Sequence, residues 1–182
     1  MKLTRSQLKK IITESFWESG VNMPVQVSGS TEFYWIARRA EEVPIGFRVP
    51  ISGPISGKME LENLYEEVRK EVNPSAPSRF NCVYVCPSLN GFCREPSGSR
   101  TSIGHQGGVY RVRVTGKVFF TDAEMWTEGN FSSYRSGVEA ARGYARSYWE
   151  GLSPHDATTG DMLQWTFYEA LVDGDVEIDE RV

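Results

Sequence analysis

The residue whose type and setting point most directly to chemistry is Glu169, inside WTFYEALVDGDVEI (165–178). On a strand, side chains alternate between faces, so Glu169 shares a face with Phe167 and Leu171. A carboxylate set between two large apolar side chains is costly to bury without a partner. Such a residue stands at the edge of a cleft or beside a cation. Pattern alone favours a plainer setting, an exposed glutamate on an edge strand.

Three cysteines and a histidine form the second candidate group: Cys82, Cys86, Cys93 and His105, spaced C-x3-C-x6-C-x11-H. Structural zinc sites place paired ligands on a tight knuckle. On a strand, Cys82 and Cys86 would lie ~13 Å apart at ~3.3 Å per residue. They cannot share a metal unless the strand breaks, so they read as small buried hydrophobes, and no metal is expected. His105 and His155 fall in loops, with no nucleophile motif beside them. The glycine-rich stretches match neither a phosphate loop nor a dinucleotide fingerprint.

The surrounding chain fits one α+β domain. Its 182 residues, 40% hydrophobic and 24% charged, can bury a core without metal or disulfide staples. The net charge of −4 argues against a general nucleic-acid backbone binder, although Arg135, Arg142 and Arg146 could form a local basic patch. An odd cysteine count in a chain of this length is no disulfide framework and points to a reducing, cytoplasmic setting. No apolar run reaches the ~18 residues that span a membrane, and the N-terminus lacks the apolar stretch of a signal peptide.

The elements that would position these residues follow from periodicity. Residues 4–19 predict an amphipathic helix with Thr4 as cap and Leu8, Ile11, Ile12 and Phe16 on one stripe. This sets residues 1–20 apart from a single domain over 21–182. A loop over 21–31 precedes a strand at 32–39, EFYWIARR, and residues 43–58 are irregular. A second helix covers 59–71, with Leu61, Leu64, Tyr65 and Val68 at helical spacing. Residues 79–86 form a strand, and 87–108 form a long loop. GVYRVRVTG (108–116) and KVFFTD (117–122) are strands around a turn at Gly116. Residues 123–136 read as a polar loop, and 137–150 as a helix ended by Gly151. The last strand, 165–172, continues through 178 after a turn at Asp173-Gly174. Strands and helices do not alternate regularly, which argues against a doubly wound sheet.

Three of these segments carry a family resemblance. FYEALVDGDVEI resembles the last catalytic strand of ADP-ribosyltransferases, in the x-A/Y-E-x-L-V-x-G-x-V-x-I form of the toxin-like, DNA-modifying branch. PSRFNCVYV (77–85) is similar to that family's second-motif strand, and YARSYWEG precedes the glutamate strand in the expected order. In the first motif, FYWIARR, Trp35 stands where the family has His or Arg, so Arg38 or Arg39 would substitute. The opening MKLTRSQLKKIITES resembles the starts of many tailed-phage proteins.

The resemblance implies a split antiparallel β-sandwich with flanking helices. It implies NAD as substrate and transfer of ADP-ribose to a nucleic acid or protein, with Glu169 contacting the nicotinamide ribose. Arg79, Arg38 or Arg39 would pair with the NAD phosphates, Tyr34 or Tyr84 would stack on the nicotinamide, and Ser78 would bond the ribose. Phe167 sits two residues before Glu169, where the arginine-modifying branch has Gln or Glu, so an arginine acceptor is not expected. The alternatives are an inactive nucleotide- or host-protein-binding module of the same fold, and a phage structural protein. A phage origin would place the protein in the host cytoplasm.

Overall fold

The computed structural model describes residues 6–7, 23–37, 42–55, 57–87, 108–151 and 168–182. The expected N-terminal helix lies outside these, apart from Ser6 and Gln7, which are helical. Four antiparallel strands form one sheet: β1 (Val25–Ile36), β2 (Val83–Val85), β3 (Val109–Asp122) and β4 (Tyr168–Arg181), in the order β1-β3-β4-β2. Among the described residues, helices α1 (Met59–Val72), α2 (Ala123–Ser136) and α3 (Arg142–Glu150) cover it, the last preceded by a 3-10 turn, Val138–Ala141. The α+β class follows directly. Among the described helices none is long and apolar enough to cross a membrane.

The sheet curls until its edges meet. Tyr34 of β1 and Cys86, just after β2, exchange two backbone hydrogen bonds of 2.8 Å. Residues 46–49 continue the β2 edge: Gly46 and Val49 donate to the carbonyls of Ile178 and Val176. Where two sheets were expected, the described residues form one that closes on itself.

Tight curling depends on two glycines. Gly116 and Gly174 face each other across β3 and β4 with φ of +143° and +156°, values that L side chains rarely adopt. A Cβ on Gly174 would lie 2.2 Å from the Thr115 carbonyl oxygen. The sequence marks these positions as turns. Instead both strands run through them as 14-residue elements, and the glycines permit the backbones to approach and bend.

Alternation then sorts the side chains. Val83, Val112, Val114, Phe120, Val172 and Ile178 turn inward and form a dry core with Phe33 and Tyr110. Cys82, Phe119 and Leu171 turn outward beneath the helices. There α1 buries the stripe Leu61, Leu64, Tyr65 and Val68, as its spacing requires, and Trp149 of α3 stacks on Phe119 at 5.8 Å. Burying such apolar side chains stabilises by roughly 1.5–3 kcal/mol each.

Two further expectations change. Strand β1 begins at Val25, inside the expected loop, because a bulge around Gly29 (φ +64°) absorbs the small polar residues. Residues 123–136, expected as loop, are helix α2. The Asp122 carboxylate accepts from the Glu124 amide at 2.8 Å and caps it, and Gly137 (φ +87°) stops it. Its weak stripe buries only Gly129, whose Cα packs against the Tyr65 hydroxyl.

Candidate active site

Five elements converge on one guanidinium. Arg79 lies in the turn between α1 and β2, and its side chain is 3% exposed. Nε donates to Glu62 Oε2 at 2.8 Å, and Nη2 to Glu62 Oε1 at 3.1 Å. This is the fork geometry that makes arginine–carboxylate pairs strong. Nη1 donates to the Tyr148 hydroxyl at 2.5 Å and to Glu169 Oε1 at 3.1 Å. Tyr148 in turn donates to the same Glu169 oxygen. Glu62 comes from α1, Tyr148 from α3 and Glu169 from β4.

Aromatic rings enclose the cation. The Arg79 Cζ lies 5.0 Å from the Tyr84 ring, 5.1 Å from Tyr148, 5.4 Å from Trp126 and 6.0 Å from Tyr65. Ring faces attract a cation, most strongly when water is excluded. Burial alone would lower the Arg79 pKa, but the acidic groups around it, Tyr148 and Glu169 foremost, outweigh burial and hold it above its ordinary value. Burial pushes Tyr148, Tyr84 and Tyr65 up, so all three stay neutral hydroxyls. The Tyr148 hydroxyl therefore passes a hydrogen bond from Arg79 to Glu169.

The two carboxyl groups sit differently. Glu62 is 0% exposed and fixed by the fork, while the Glu169 side chain is 22% exposed. Its Oε1 takes both bonds from Arg79 and Tyr148, which leaves the carboxylate immobilised and partly exposed. Nearby, burial pushes the Asp122 carboxyl up to about 6, with Glu124 and Glu169 adding to the effect against the Glu124 amide bond. Two buried polar atoms of α2 have no partner: Trp126 Nε1 and Asn130 Oδ1. Each such atom costs roughly 1–3 kcal/mol.

The expected site residues divide. Glu169, Arg79 and Tyr84 come together, but Arg79 is buried against carboxylates rather than presented to a phosphate. Tyr84 lays its ring on Arg79 and donates its hydroxyl to the Arg79 carbonyl at 3.2 Å. Ser78 points elsewhere: its hydroxyl donates to Glu66 Oε2 at 2.9 Å, and it lines a shallow groove with Asn63, Lys70 and Phe80. Burial would raise Glu66, but bonds from Arg69 and Ser78 hold it below the usual carboxylate range. Tyr34 pairs across the ladder with Arg111, whose guanidinium bonds Asp179 and Glu180. Arg38, Arg39, Phe167, Cys93 and both histidines lie outside the described residues. Cys82 and Cys86 are buried, and burial pushes the Cys82 thiol up to about 12, where it is inert.

Sequence reasoning missed Glu62, Tyr148 and Trp126. One signal was readable: Glu62 lies beside Leu61 and three residues before Tyr65, on the buried flank of the α1 stripe. Tyr148 and Trp149, two adjacent aromatics late in a helix, offered a weaker one.

The described residues define an α+β protein with a closed antiparallel sheet, covering helices and a buried arginine–carboxylate network. Residues 51–182 match the family described as Protein of unknown function (DUF2441), and the chain belongs to that family. The matched stretch contains the whole network. No curated protein matches the chain.

Proposed function

We propose that this protein cleaves the nicotinamide–ribose bond of NAD and transfers ADP-ribose to a nucleic acid or protein acceptor. The observation that supports this reading is the Glu169 carboxylate, fixed through one oxygen and partly exposed. As the C–N bond breaks, its electron pair leaves with nicotinamide and positive charge develops on the ribose. A preorganised carboxylate stabilises that charge without having to reorganise. Two carboxyl groups share one cation here, so the site favours positive charge. The acceptor then bonds to the anomeric carbon and its proton passes to water. In this reading Arg79 and Tyr148 are positioning residues, and Arg38 or Arg39 would grip the phosphates. The curled sheet, hinged at Gly116 and Gly174, would serve as the two leaves of an ADP-ribosyltransferase-like sandwich. A phage-encoded protein of this kind would act in the host cytoplasm.

The complete burial of Glu62 with Arg79 favours a second reading. The network would only clamp helices to the sheet, and the domain would bind a nucleotide or host protein without chemistry.

Incubation with NAD and measurement of released nicotinamide separates the two. The expected result is release that falls about 100-fold or more in Glu169→Gln, the scale of losing one preorganised stabilising group. NAD raising the melting temperature with no release would establish the binding module instead.

A further inference from the structure

The unpartnered atoms of α2 stand on one helix face, since Trp126 and Asn130 are four residues apart. One is a donor and the other an acceptor, and both are shielded from water. Buried polar groups almost always find partners, so two orphans side by side call for an occupant. The position is next to the site: the Trp126 ring lies 5.4 Å from Arg79, which bonds Glu169.

We infer that the inner face of α2 recognises the neutral amide edge of a flat ring, whose carbonyl accepts from Trp126 Nε1 and whose N–H donates to Asn130 Oδ1. The surrounding charge excludes an anion. Asp122 caps the same helix, Glu169 lies across Arg79, and Arg79 is itself bonded to Glu62, Tyr148 and Glu169. A cation would leave the acceptor satisfied and the donor still orphaned. An amide or lactam satisfies both.

Entry requires α2 to lift from the core. Only Gly129 on it is fully buried, and the helix is held by Met125 and Trp126 packed on the outer core, by the Tyr65 hydroxyl bond of 2.8 Å to the Met125 carbonyl, and by bonds from Lys58 to Tyr134 and from Ser132 to the Ala140 carbonyl. Phe131 and Tyr134 already face water.

The inference stands apart from the NAD reading, because a carboxamide and a nucleobase lactam present the same edge. The test is a titration of protein labelled with 15N at its five tryptophan indoles. The Trp126 resonance is the one lost in Trp126→Phe. Nicotinamide, nicotinate and guanosine are added separately to the wild-type protein. The expected result is a downfield shift of the Trp126 indole with nicotinamide, with guanosine, or with both, and none with nicotinate. Nicotinamide alone names a carboxamide as the source, and guanosine alone names a base. Asn130→Leu is expected to weaken the binding at least tenfold and to raise the melting temperature by about 2–4 °C, because it removes an unsatisfied buried atom. A Trp126 resonance unmoved by every probe overturns the inference. So does an equal response to nicotinate, or full affinity in Asn130→Leu. A Trp126 shift without NAD cleavage would sink the NAD reading alone. NAD cleavage with Trp126 unmoved by nicotinamide and guanosine would do the reverse.

Discussion

The two faces of β4 rest on different physics. Inward, Ala170, Val172, Val176 and Ile178 enter a core of aliphatic and aromatic side chains. Outward, Leu171 packs beneath the helices, yet its neighbour on the same face, Glu169, joins a network with a buried arginine and a buried glutamate. The inward face needs only volume and dryness. The outward face carries desolvated charge that well-packed apolar residues could replace without loss of stability. A domain of this size does not require such a network to fold, and under the proposed function the outer layer is the one that holds the reacting carboxylate.

The largest expected effect breaks the outer layer. Arg79→Met removes the cation and strands Glu62, fully buried, without its partner. The expected loss is roughly 3–5 kcal/mol, read from the urea midpoint. The double variant Glu62→Leu with Arg79→Met is expected to recover part of it, since the fully buried Glu62 charge is gone while the partly exposed Glu169 still lacks its cation. A loss under about 1 kcal/mol in the single variant would reduce the network to ornament.

Next comes the hinge between the two halves of the sheet. Gly174→Ala places a methyl group 2.2 Å from the Thr115 oxygen at a φ that alanine resists. A loss of roughly 2–3 kcal/mol is expected in thermal or urea unfolding. Wild-type stability in this variant would mean that the strands do not close as described.

Asp122 sharpens the electrostatic side. Its pKa rises from 3.8 unfolded to about 6 folded, so across that window the folded state binds more protons than the unfolded state. Its contribution favours folding below the window, declines as pH rises through it, and is lost above about 6. Asparagine caps α2 equally well and does not titrate. Asp122→Asn is expected to remove this slope and to stabilise the protein at neutral pH by roughly 1–3 kcal/mol. Superimposable stability–pH curves for the two proteins would contradict it.

The smallest effect belongs to the inner face. Ile178→Val is expected to cost about 0.5–1.5 kcal/mol, with no dependence on pH or salt. A pH-dependent loss there would erase the distinction between the faces.

How much of this was legible in the sequence depended on how local each cause was. Helix α1 and the alternation of β3 declare themselves through spacing alone. So did the demand that Glu169 find a cation or a cleft, because the apolar residues that create the demand lie beside it in the chain. The answer to that demand is remote: Arg79 stands 90 residues away, brought in by the β2–β4 ladder. Helix α2 was hidden because its apolar residues, Met125 and Trp126, are adjacent rather than spaced as a stripe, and its cap, Asp122, reads equally well as the end of a strand. Gly116 and Gly174 were legible as special positions but not as partners. A glycine reports that the backbone does something unusual, whereas only the facing strand decides between turning and close approach.

The most direct test of the proposed activity is the rate of nicotinamide release from NAD by Tyr148→Phe, which keeps the buried ring and deletes the hydroxyl that holds Glu169. The expected result is a fall of tenfold or more in rate with little change in NAD affinity and a folded protein by circular dichroism. Release at the wild-type rate would contradict the claim that this network positions a reacting carboxylate.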